Sequence, residues 1–196
     1  MRFGGPKQFR RLAGRLVVDW ALAAARSVAG RVVLVVPPDH EGHSRPEADQ
    51  VVVGGETRSD SVRAGLEAVP PDAEVVVVHD AARPLASPEL FTAVVDAVRD
   101  GVDGAVPALP VTDTVKEVDD GLVVRTLDRS VLVTVQTPQA FSAAALRHAH
   151  GQQGDATDDA ALVEAAGGRV VVVPGEPENL KVNRPADLEL AERLVR

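Results

Sequence analysis

The sequence predicts an α/β fold, in which a mostly parallel sheet carries helices on both faces. Short valine-rich runs bounded by turn residues recur along the 196-residue chain. Some of these runs are apolar throughout, as in the consecutive valines at 75–78, which is typical of strands buried on both faces. Segments with helical patterning separate the runs, and this alternation favours parallel strands joined by helices.

The predicted elements follow from local signals along the chain. The first helix is rich in alanine and leucine, the second opens on a serine and aspartate cluster, and the third has Ser87 as N-cap before Pro88. The predicted strands span 31–36, 50–53, 74–79, 104–108, 131–136 and 169–173. The predicted helices span 16–27, 59–68, 88–100, 142–150, 158–166 and 185–195.

One stretch departs from the alternation of strands and helices. Segments 111–117 and 122–127 flank the sequence Asp119-Asp120-Gly121, which is typical of a β-hairpin with an Asp-Gly turn. A ribbon of two strands is only marginally stable alone in water. We therefore expect this hairpin to pack on something else, such as another subunit.

Composition excludes several classes of protein. The 29 acidic and 21 basic residues give a net charge of −8, opposite in sign to that of a general nucleic-acid binder. The absence of cysteine excludes disulfide scaffolds and thiol chemistry. The start is rich in glycine, arginine and lysine, and the most apolar stretch, 16–36, is interrupted by charges. We expect a cytoplasmic protein that binds neither nucleic acid nor membrane.

Ligands of layered α/β sheets bind beyond the carboxyl ends of the strands, and polar residues occupy those positions here. Gly54-Gly55 precedes a polar helix start, which suits either an anion-binding loop or a plain tight turn. Arg58 and Ser61 at the helix opening favour binding. Both interpretations of this loop stay open from the sequence alone.

The segment His79-Asp80-Ala81-Ala82-Arg83-Pro84 is a stronger candidate, because it places an acid and an arginine at a strand's carboxyl end. The pattern suits metal or phosphate handling, and the alternative is a local ion pair between Asp80 and Arg83. No other histidine lies at a metal-ligand spacing from His79, so a zinc site is not expected.

The remaining candidates are ambiguous when taken singly. Arg2, Lys7, Arg129 and Lys181 lie in loops, where a solvated charge is as good an interpretation as a functional one. Thr157-Asp158-Asp159 indicates first of all a helix N-cap. Basic loops in an otherwise acidic protein favour a small polyanionic substrate over a polymer.

Taken together, seven motifs in order along the chain resemble the 2-C-methyl-D-erythritol 4-phosphate cytidylyltransferase family. They are RFGGPKQF (2–9), GGETRSDSV (54–62), HDAARP (79–84), PVTDTVK (110–116), QTPQAF (136–141), TDDA (157–160) and ENLKV (178–182). The resemblance implies a Rossmann-like nucleotidyltransferase fold over a single domain, 1–196, with a protruding β-hairpin dimerisation arm at about 111–130.

The resemblance also implies the reaction. The family transfers CMP from CTP to 2-C-methyl-D-erythritol 4-phosphate and releases pyrophosphate, a step in isoprenoid precursor biosynthesis. The acceptor's phosphate oxygen attacks the α-phosphorus in line, with Mg²⁺ held mainly by the CTP phosphates and no direct protein ligand. Catalysis would then consist of positioning and charge stabilisation. The active unit would be a homodimer.

Residue roles follow from the same resemblance, motif by motif. Catalysis would fall to Arg2, Lys7 and Lys181. Nucleotide binding would involve Gly55, Glu56, Ser61 and Asp80. The acceptor substrate would be bound by Asp80, Arg83, Thr114, Arg129, Thr157 and Lys181, with Thr114 and Arg129 reaching the site of the other subunit.

Two alternative functions stay open beside this interpretation. A cytidylyltransferase for a pentitol phosphate, such as ribitol 5-phosphate, would share the nucleotide side, although segment 110–116, Arg129 and segment 178–182 favour methylerythritol phosphate. A catalytically impaired remnant is the other alternative.

Family members have an apolar strand and an Ala-Ala-Gly-x-Gly loop before the arginine that matches Arg2. Neither is found here, and we expect Met1 to be an internal start.

Overall fold

A computed structural model describes residues 7–40, 45–152 and 156–195. The helices are α1 Val17–Val28, α2 Arg58–Glu67, α3 Pro88–Arg99, α4 Ala143–Gly151, α5 Asp159–Ala165 and α6 Pro185–Leu194. The strands are β1 Arg11–Leu12, β2 Arg15–Leu16, β3 Val33–Val36, β4 Gln50–Val53, β5 Val75–Val78, β6 Gly104–Pro110, β7 Lys116–Asp119, β8 Leu122–Thr126, β9 Val133–Val135, β10 Gln139–Ser142 and β11 Val170–Pro174.

The main sheet has the strand order β11-β6-β10-β5, and β9 pairs with the far end of β6. Strand β11 is parallel to β6, whereas β10 is antiparallel to both of its neighbours and β9 is antiparallel to β6. The sheet is therefore mixed: β5, β6 and β11 run in one direction, as predicted for parallel strands, whereas β9 and β10 run in the other. The physical reason is β10, a strand without a valine run that inserts between β5 and β6.

Both faces of the main sheet are covered by helices, as the sequence predicts. On one face Phe141 and Val106 pack with Leu146 of α4 and Val163 of α5. On the other face, the side chains of α3 pack against alternate residues of β6 and β10. Because successive side chains of a strand point to opposite faces, one short strand serves two cores.

Strands β3 and β4 form a parallel pair with a hydrogen-bond ladder of its own. Leu34 and Val36 of β3 pack against Val18 and Leu22 of α1. Helix α2 follows β4 and lies against this pair. The pair carries the glycine-rich loop 54–57 at its carboxyl end, which positions that loop beside the start of α2.

The predicted hairpin is confirmed as the antiparallel pair β7–β8. Its turn places Asp120 and Gly121 at φ angles of 43° and 78°, the left-handed backbone that an Asp-Gly turn supplies. The residues of both strands are exposed in the single chain. The exposed residues include the large apolar side chains of Val118, Leu122, Val123 and Val124.

Side-chain caps fix the helix starts close to the predicted positions. Thr57, Ser87 and Asp158 accept hydrogen bonds from backbone N–H groups one turn into α2, α3 and α5. In the 157–159 motif the cap is therefore Asp158, and this leaves Asp159 available for another contact.

The core beneath α4 yields a stability prediction. Leu146 is fully buried among the side chains of β6, β10 and α5, so Leu146→Ala is expected to lower the free energy of unfolding by about 3 kcal/mol through a cavity. Urea unfolding measures the change. Leu190→Ala, at a leucine that is 51% exposed, is the control and should change it by less than about 0.5 kcal/mol. Equal effects of the two substitutions would contradict this core assignment.

Candidate active site

A cleft of about 210 Å³ opens where loops from four parts of the chain meet. The loop after β5, the connection between β9 and β10, the residues before α5, and the loop after β11 all contribute to it. Arg58, at the start of α2, completes the wall. The lining residues are Arg58, Asp80, Arg83, Val135, Gln136, Thr137, Gln139, Thr157, Asp158 and Lys181.

An ion pair lies at the centre of the cleft. The Nζ of Lys181 is 2.5 Å from Oδ2 of Asp80, whose side chain is only 21% exposed. Burial alone would raise the pKa of Asp80, but the Lys181 ammonium and the nearby guanidinium groups of Arg58 and Arg83 hold it below its usual value. Asp80 is therefore ionised at neutral pH and fixes the direction of the Lys181 side chain.

Arg83 is held by the backbone around it. Its N–H donates to the Asp80 carbonyl at 2.9 Å, which closes the turn after β5. Its Nη1 donates to the Asn179 carbonyl at 2.7 Å. Burial lowers the pKa of the Arg83 guanidinium, which still stays charged at neutral pH. Asp80 pairs with Lys181 instead of Arg83, so the alternative of a local Asp80–Arg83 ion pair is wrong.

The loop that carries Lys181 must cross the ends of two strands, because β11 and β5 lie at opposite ends of the strand order. Gln136 supports the crossing: its Nε2 donates to the Glu176 carbonyl at 2.8 Å, and its Oε1 accepts from the Glu176 N–H at 3.1 Å. The buried Asn179 donates from Nδ2 to the Thr137 carbonyl at 2.9 Å. These amide contacts set the height of Lys181 above the sheet.

The Glu176 carboxylate fixes the start of the same loop. One oxygen accepts from the Ser87 N–H at 3.2 Å and the other accepts from the Ser87 hydroxyl. Because Ser87 is also the N-cap of α3, this contact joins the loop to that helix. The Lys181 loop is thus anchored at both of its ends.

Arg58 is directed into the cleft by a buried carboxylate. Asp159, fully buried, accepts from Arg58 Nη2 at 2.6 Å and contacts His150 Nε2 at 3.0 Å. Burial would raise the pKa of Asp159, but hydrogen bonds from His150 and Arg58 lower it overall. Burial likewise opposes the charge of Arg58, yet its bond to Asp159 leaves the pKa of the guanidinium raised.

His79 joins the two loops behind the cleft. Its Nε2 lies 3.0 Å from the Arg83 carbonyl and its Nδ1 lies 3.1 Å from Thr137 Oγ1. The ring contacts Phe91 of α3 at a centroid distance of 4.9 Å. Burial lowers the pKa of His79 to about 4, so the imidazole is neutral at physiological pH.

Several buried polar atoms around the cleft have no hydrogen-bond partner within the described ranges 7–40, 45–152 and 156–195. They are Nη1 of Arg58, Nε of Arg83, Oε1 of Gln139 and Oδ1 of Asn179. Unpaired buried polar groups are costly. The two donors belong to the charged guanidinium groups of Arg58 and Arg83, both of which line the cleft.

Of the predicted site residues, the structure brings Asp80, Arg83, Thr157 and Lys181 together in the cleft. Lys7 lies beside it, since its Nζ donates to Oδ1 of Asn183, two residues beyond Lys181. Arg2 falls outside the described residues.

The predicted nucleotide residues Gly55, Glu56 and Ser61 lie outside the cleft lining. Gly55 and Glu56 are on the β4–α2 connection, and Ser61 is in the first turn of α2, which begins at Arg58. Ser61 donates from Oγ to the Thr57 carbonyl at 3.0 Å. A Cβ on Gly55 would lie 2.2 Å from the Asp60 Cβ. Glycine is thus needed for the close approach of this loop to α2.

Thr114, just before β7, and Arg129, just after β8, are exposed and do not line the cleft of their own chain. Arg129 donates from Nη1 to the Thr112 carbonyl, which fixes the base of the arm.

The residue-level predictions omit Thr137, Gln136 and Gln139, although all of them line the cleft. The signal that marks them is the polar run that ends the predicted strand 131–136. The sequence places Arg58 beside the glycine pair but indicates no partner for it, because Asp159 is remote in sequence.

The fold and the cleft together define a class of protein. Fixed cations around the Asp80 carboxylate, beyond the strand ends of a layered α/β sheet, suit an enzyme that acts on small phosphorylated substrates. In the described part of the chain no three His, Asp or Glu side chains are grouped as a metal cage. The described helices include none with the length and apolar character needed to cross a membrane.

Comparison with known proteins identifies the family. The family model for 2-C-methyl-D-erythritol 4-phosphate cytidylyltransferase (IspD) matches residues 1–196. The Streptomyces coelicolor protein of that name is 47% identical over 213 residues, which cover 98% of this chain and 78% of the relative. The Nocardia farcinica protein of that name is also 47% identical, with coverages of 97% and 86%. This chain belongs to that family, which confirms the resemblance of the seven motifs.

A solved structure supports the fold as well. The crystal structure of the cytidylyltransferase from Thermus thermophilus matches with a TM-score of 0.86 at 40% identity, covering 98% of this chain and 95% of that chain. The predicted α/β nucleotidyltransferase fold is therefore confirmed, with the mixed strand directions described above.

The buried carboxylate behind Arg58 yields a stability prediction. Asp159→Ala leaves Arg58 and His150 without their partner, so we expect a loss of about 3 kcal/mol in the free energy of unfolding, measured by urea denaturation at pH 7. The control is Asp96→Ala, since Asp96 forms an exposed pair with Arg99 at 3.7 Å, and its loss should stay below about 1 kcal/mol. Similar small losses in both variants would contradict the role given to Asp159.

Proposed function

We propose that this chain transfers CMP from CTP to 2-C-methyl-D-erythritol 4-phosphate, with release of pyrophosphate. The observation that carries the proposal is the Asp80–Lys181 pair with Arg58 and Arg83 around it, in a chain of net charge −8. Family membership supplies the identity of the substrates. Since both substrates are soluble phosphorylated molecules, we assign the reaction to the cytoplasm.

Catalysis on this proposal is charge stabilisation by preorganised cations. Negative charge spreads over the oxygens of the α-phosphate as the acceptor's phosphate oxygen approaches and pyrophosphate departs. The Lys181 ammonium, held by Asp80, stabilises that charge with little reorganisation, because its carboxylate partner already fixes its direction. Lys7, beside the same loop, and Arg2 act on the triphosphate.

The two substrates occupy different sides of the cleft on this proposal. Gly55, Glu56 and Ser61 border the base and ribose of CTP, where the tight β4–α2 connection lets backbone groups approach. Asp80 lies at the junction of nucleotide and acceptor. Arg83 and Thr157, which both line the cleft, bind the acceptor.

A divalent metal fits this donor set when the nucleotide supplies most of its ligands. Asp80 and Asp158 are the carboxylates of the cleft, and Asp158 already accepts from the Ala161 N–H and from Gln139. Mg²⁺ is commonly bound through few carboxylates together with substrate phosphates. When bound, it would neutralise triphosphate charge, and we propose that CTP holds it.

We also propose that the arm completes the site of a second subunit in a homodimer. The exposed valines and leucine of β7 and β8 suit burial against another chain, because a ribbon of two strands needs a packing partner. Thr114 and Arg129 would then reach the acceptor side of the partner's cleft.

The first functional prediction concerns Lys181. Lys181→Ala is expected to lower kcat about 100-fold or more, because it removes a preorganised cation from the reacting phosphate. Pyrophosphate release with CTP, Mg²⁺ and methylerythritol phosphate measures it. The side chain is 40% exposed, so the melting temperature should change little. Arg99→Ala, on the outer end of α3, is the matched control and should retain full turnover.

The same assay decides between the alternatives for the function. Preference for ribitol 5-phosphate over methylerythritol phosphate would replace the proposed acceptor. No CTP-dependent turnover with either acceptor would support a remnant without activity. Near-normal turnover of Lys181→Ala would refute the role of Lys181 and leave the acceptor assignment standing.

The shared site is tested by mixing subunits. Lys181→Ala and Arg129→Ala are expected to be nearly inactive as separate homodimers. If Arg129 acts on the partner's cleft, random reassociation of equal amounts restores roughly one quarter of wild-type activity, because half of the dimers are mixed and each carries one intact site. No recovery after confirmed exchange of subunits would show that Arg129 acts within its own chain.

A further inference from the structure

His79 is not among the residues that line the cleft, but it contacts two of them, Arg83 and Thr137. Its two nitrogens contact two different loops. Nε2 faces the Arg83 carbonyl at 3.0 Å, and Nδ1 faces the Thr137 hydroxyl at 3.1 Å. The Asp80 N–H also donates to that hydroxyl oxygen, at 2.9 Å.

For a neutral imidazole, these contacts permit only one arrangement of protons. A carbonyl oxygen only accepts hydrogen bonds, so the proton of a neutral His79 lies on Nε2 and is donated to Arg83. Nδ1 then has a free lone pair and only accepts. The hydroxyl of Thr137 must therefore donate its proton to Nδ1 while its oxygen accepts from the Asp80 N–H.

We propose that His79 is a positioning residue. In the Nε2–H tautomer, its Nδ1 accepts the hydrogen bond that the Thr137 hydroxyl donates, so that Thr137 can only accept a hydrogen bond from a ligand in the cleft. One lone pair remains on Thr137 Oγ1 after the bond from Asp80. That lone pair fits a hydroxyl group of the acceptor substrate, which donates, and disfavours a phosphate oxygen, which only accepts. The proposal refines the acceptor side of the proposed function and rests on it.

Burial keeps the imidazole in this state. The charged groups nearest to it are Asp80 and Arg83, which have opposite effects on its protonation, and desolvation outweighs both. Phe91 of α3 packs on the ring and limits its rotation. The ring thus joins the loop after β5 to Thr137, and its Nδ1 sets the polarity of the Thr137 hydroxyl.

The first test needs no substrate. Nitrogen-15 spectra of the ring nitrogens in uniformly labelled wild-type protein at pH 7, with His79 assigned through bonds, report the tautomer. We expect a protonated Nε2 and an unprotonated Nδ1. An Nδ1–H tautomer or an imidazolium would overturn the proposal. Because this readout involves no turnover, it is independent of whether the chain has the proposed activity.

The second test separates the two nitrogens by substitution. His79→Asn keeps an acceptor near the Nδ1 position and loses the reach to Arg83, whereas His79→Gln keeps a donor near the Nε2 position and loses the acceptor for Thr137. We expect His79→Gln to raise the KM for the acceptor about five- to tenfold, the effect of one neutral hydrogen bond, with the KM for CTP unchanged. His79→Asn should keep the acceptor KM within about twofold of wild type.

The outcomes distinguish positioning from a general structural role. Equal losses in the two variants, or parallel rises in both KM values, would overturn the proposal. If either variant fails to fold, the nitrogen-15 spectra of the wild-type protein still decide whether His79 has the proposed tautomer. An inactive wild-type protein with the expected tautomer would refute the proposed function and leave the proton arrangement established.

Discussion

The ion pair between Lys181 and Asp80 is the interaction on which the site depends. The two residues follow β11 and β5, which stand at opposite ends of the ordered path β11-β6-β10-β5. Neighbouring strands are about 4.8 Å apart, so the loop after β11 has to span the ends of the strands between them. The amides of Gln136 and Asn179 supply the backbone contacts that make this span rigid. Without them the cations of the site would lie on independent loops.

Charge and burial act against each other throughout the cleft, and this opposition explains its arrangement. Burial disfavours the charge on Asp80 and on Asp159, yet the pKa of each is lowered because cations are fixed against them. In return, the two carboxylates hold the side chains of Lys181 and Arg58 in the cleft and prevent them from extending into solvent. A chain whose surface is acidic can therefore present a local positive site for a polyanion.

The sequence was sufficient to predict those parts of the molecule that depend on local signals. Ser87 and Pro88 define the start of α3, and Asp120-Gly121 defines the turn of the arm. Strand β10 could not be predicted, because its residues gain strand structure only from the two strands that bind it. Motifs located Asp80, Arg83, Thr157 and Lys181, whereas the Asp80–Lys181 pairing depends on how the loop after β11 crosses the sheet.

The position of β10 has a consequence for how the chain folds during synthesis. Strands β5 and β6 are made well before the residues of β10, yet they are joined only through it. Until residue 142 has left the ribosome, each of these valine- and alanine-rich strands has an unpaired edge next to the place that β10 will occupy. Unpaired edges of apolar strands are sites of aggregation. The order of elements along the chain thus leaves these two strand edges unpaired during synthesis until β10 is available to pair with them.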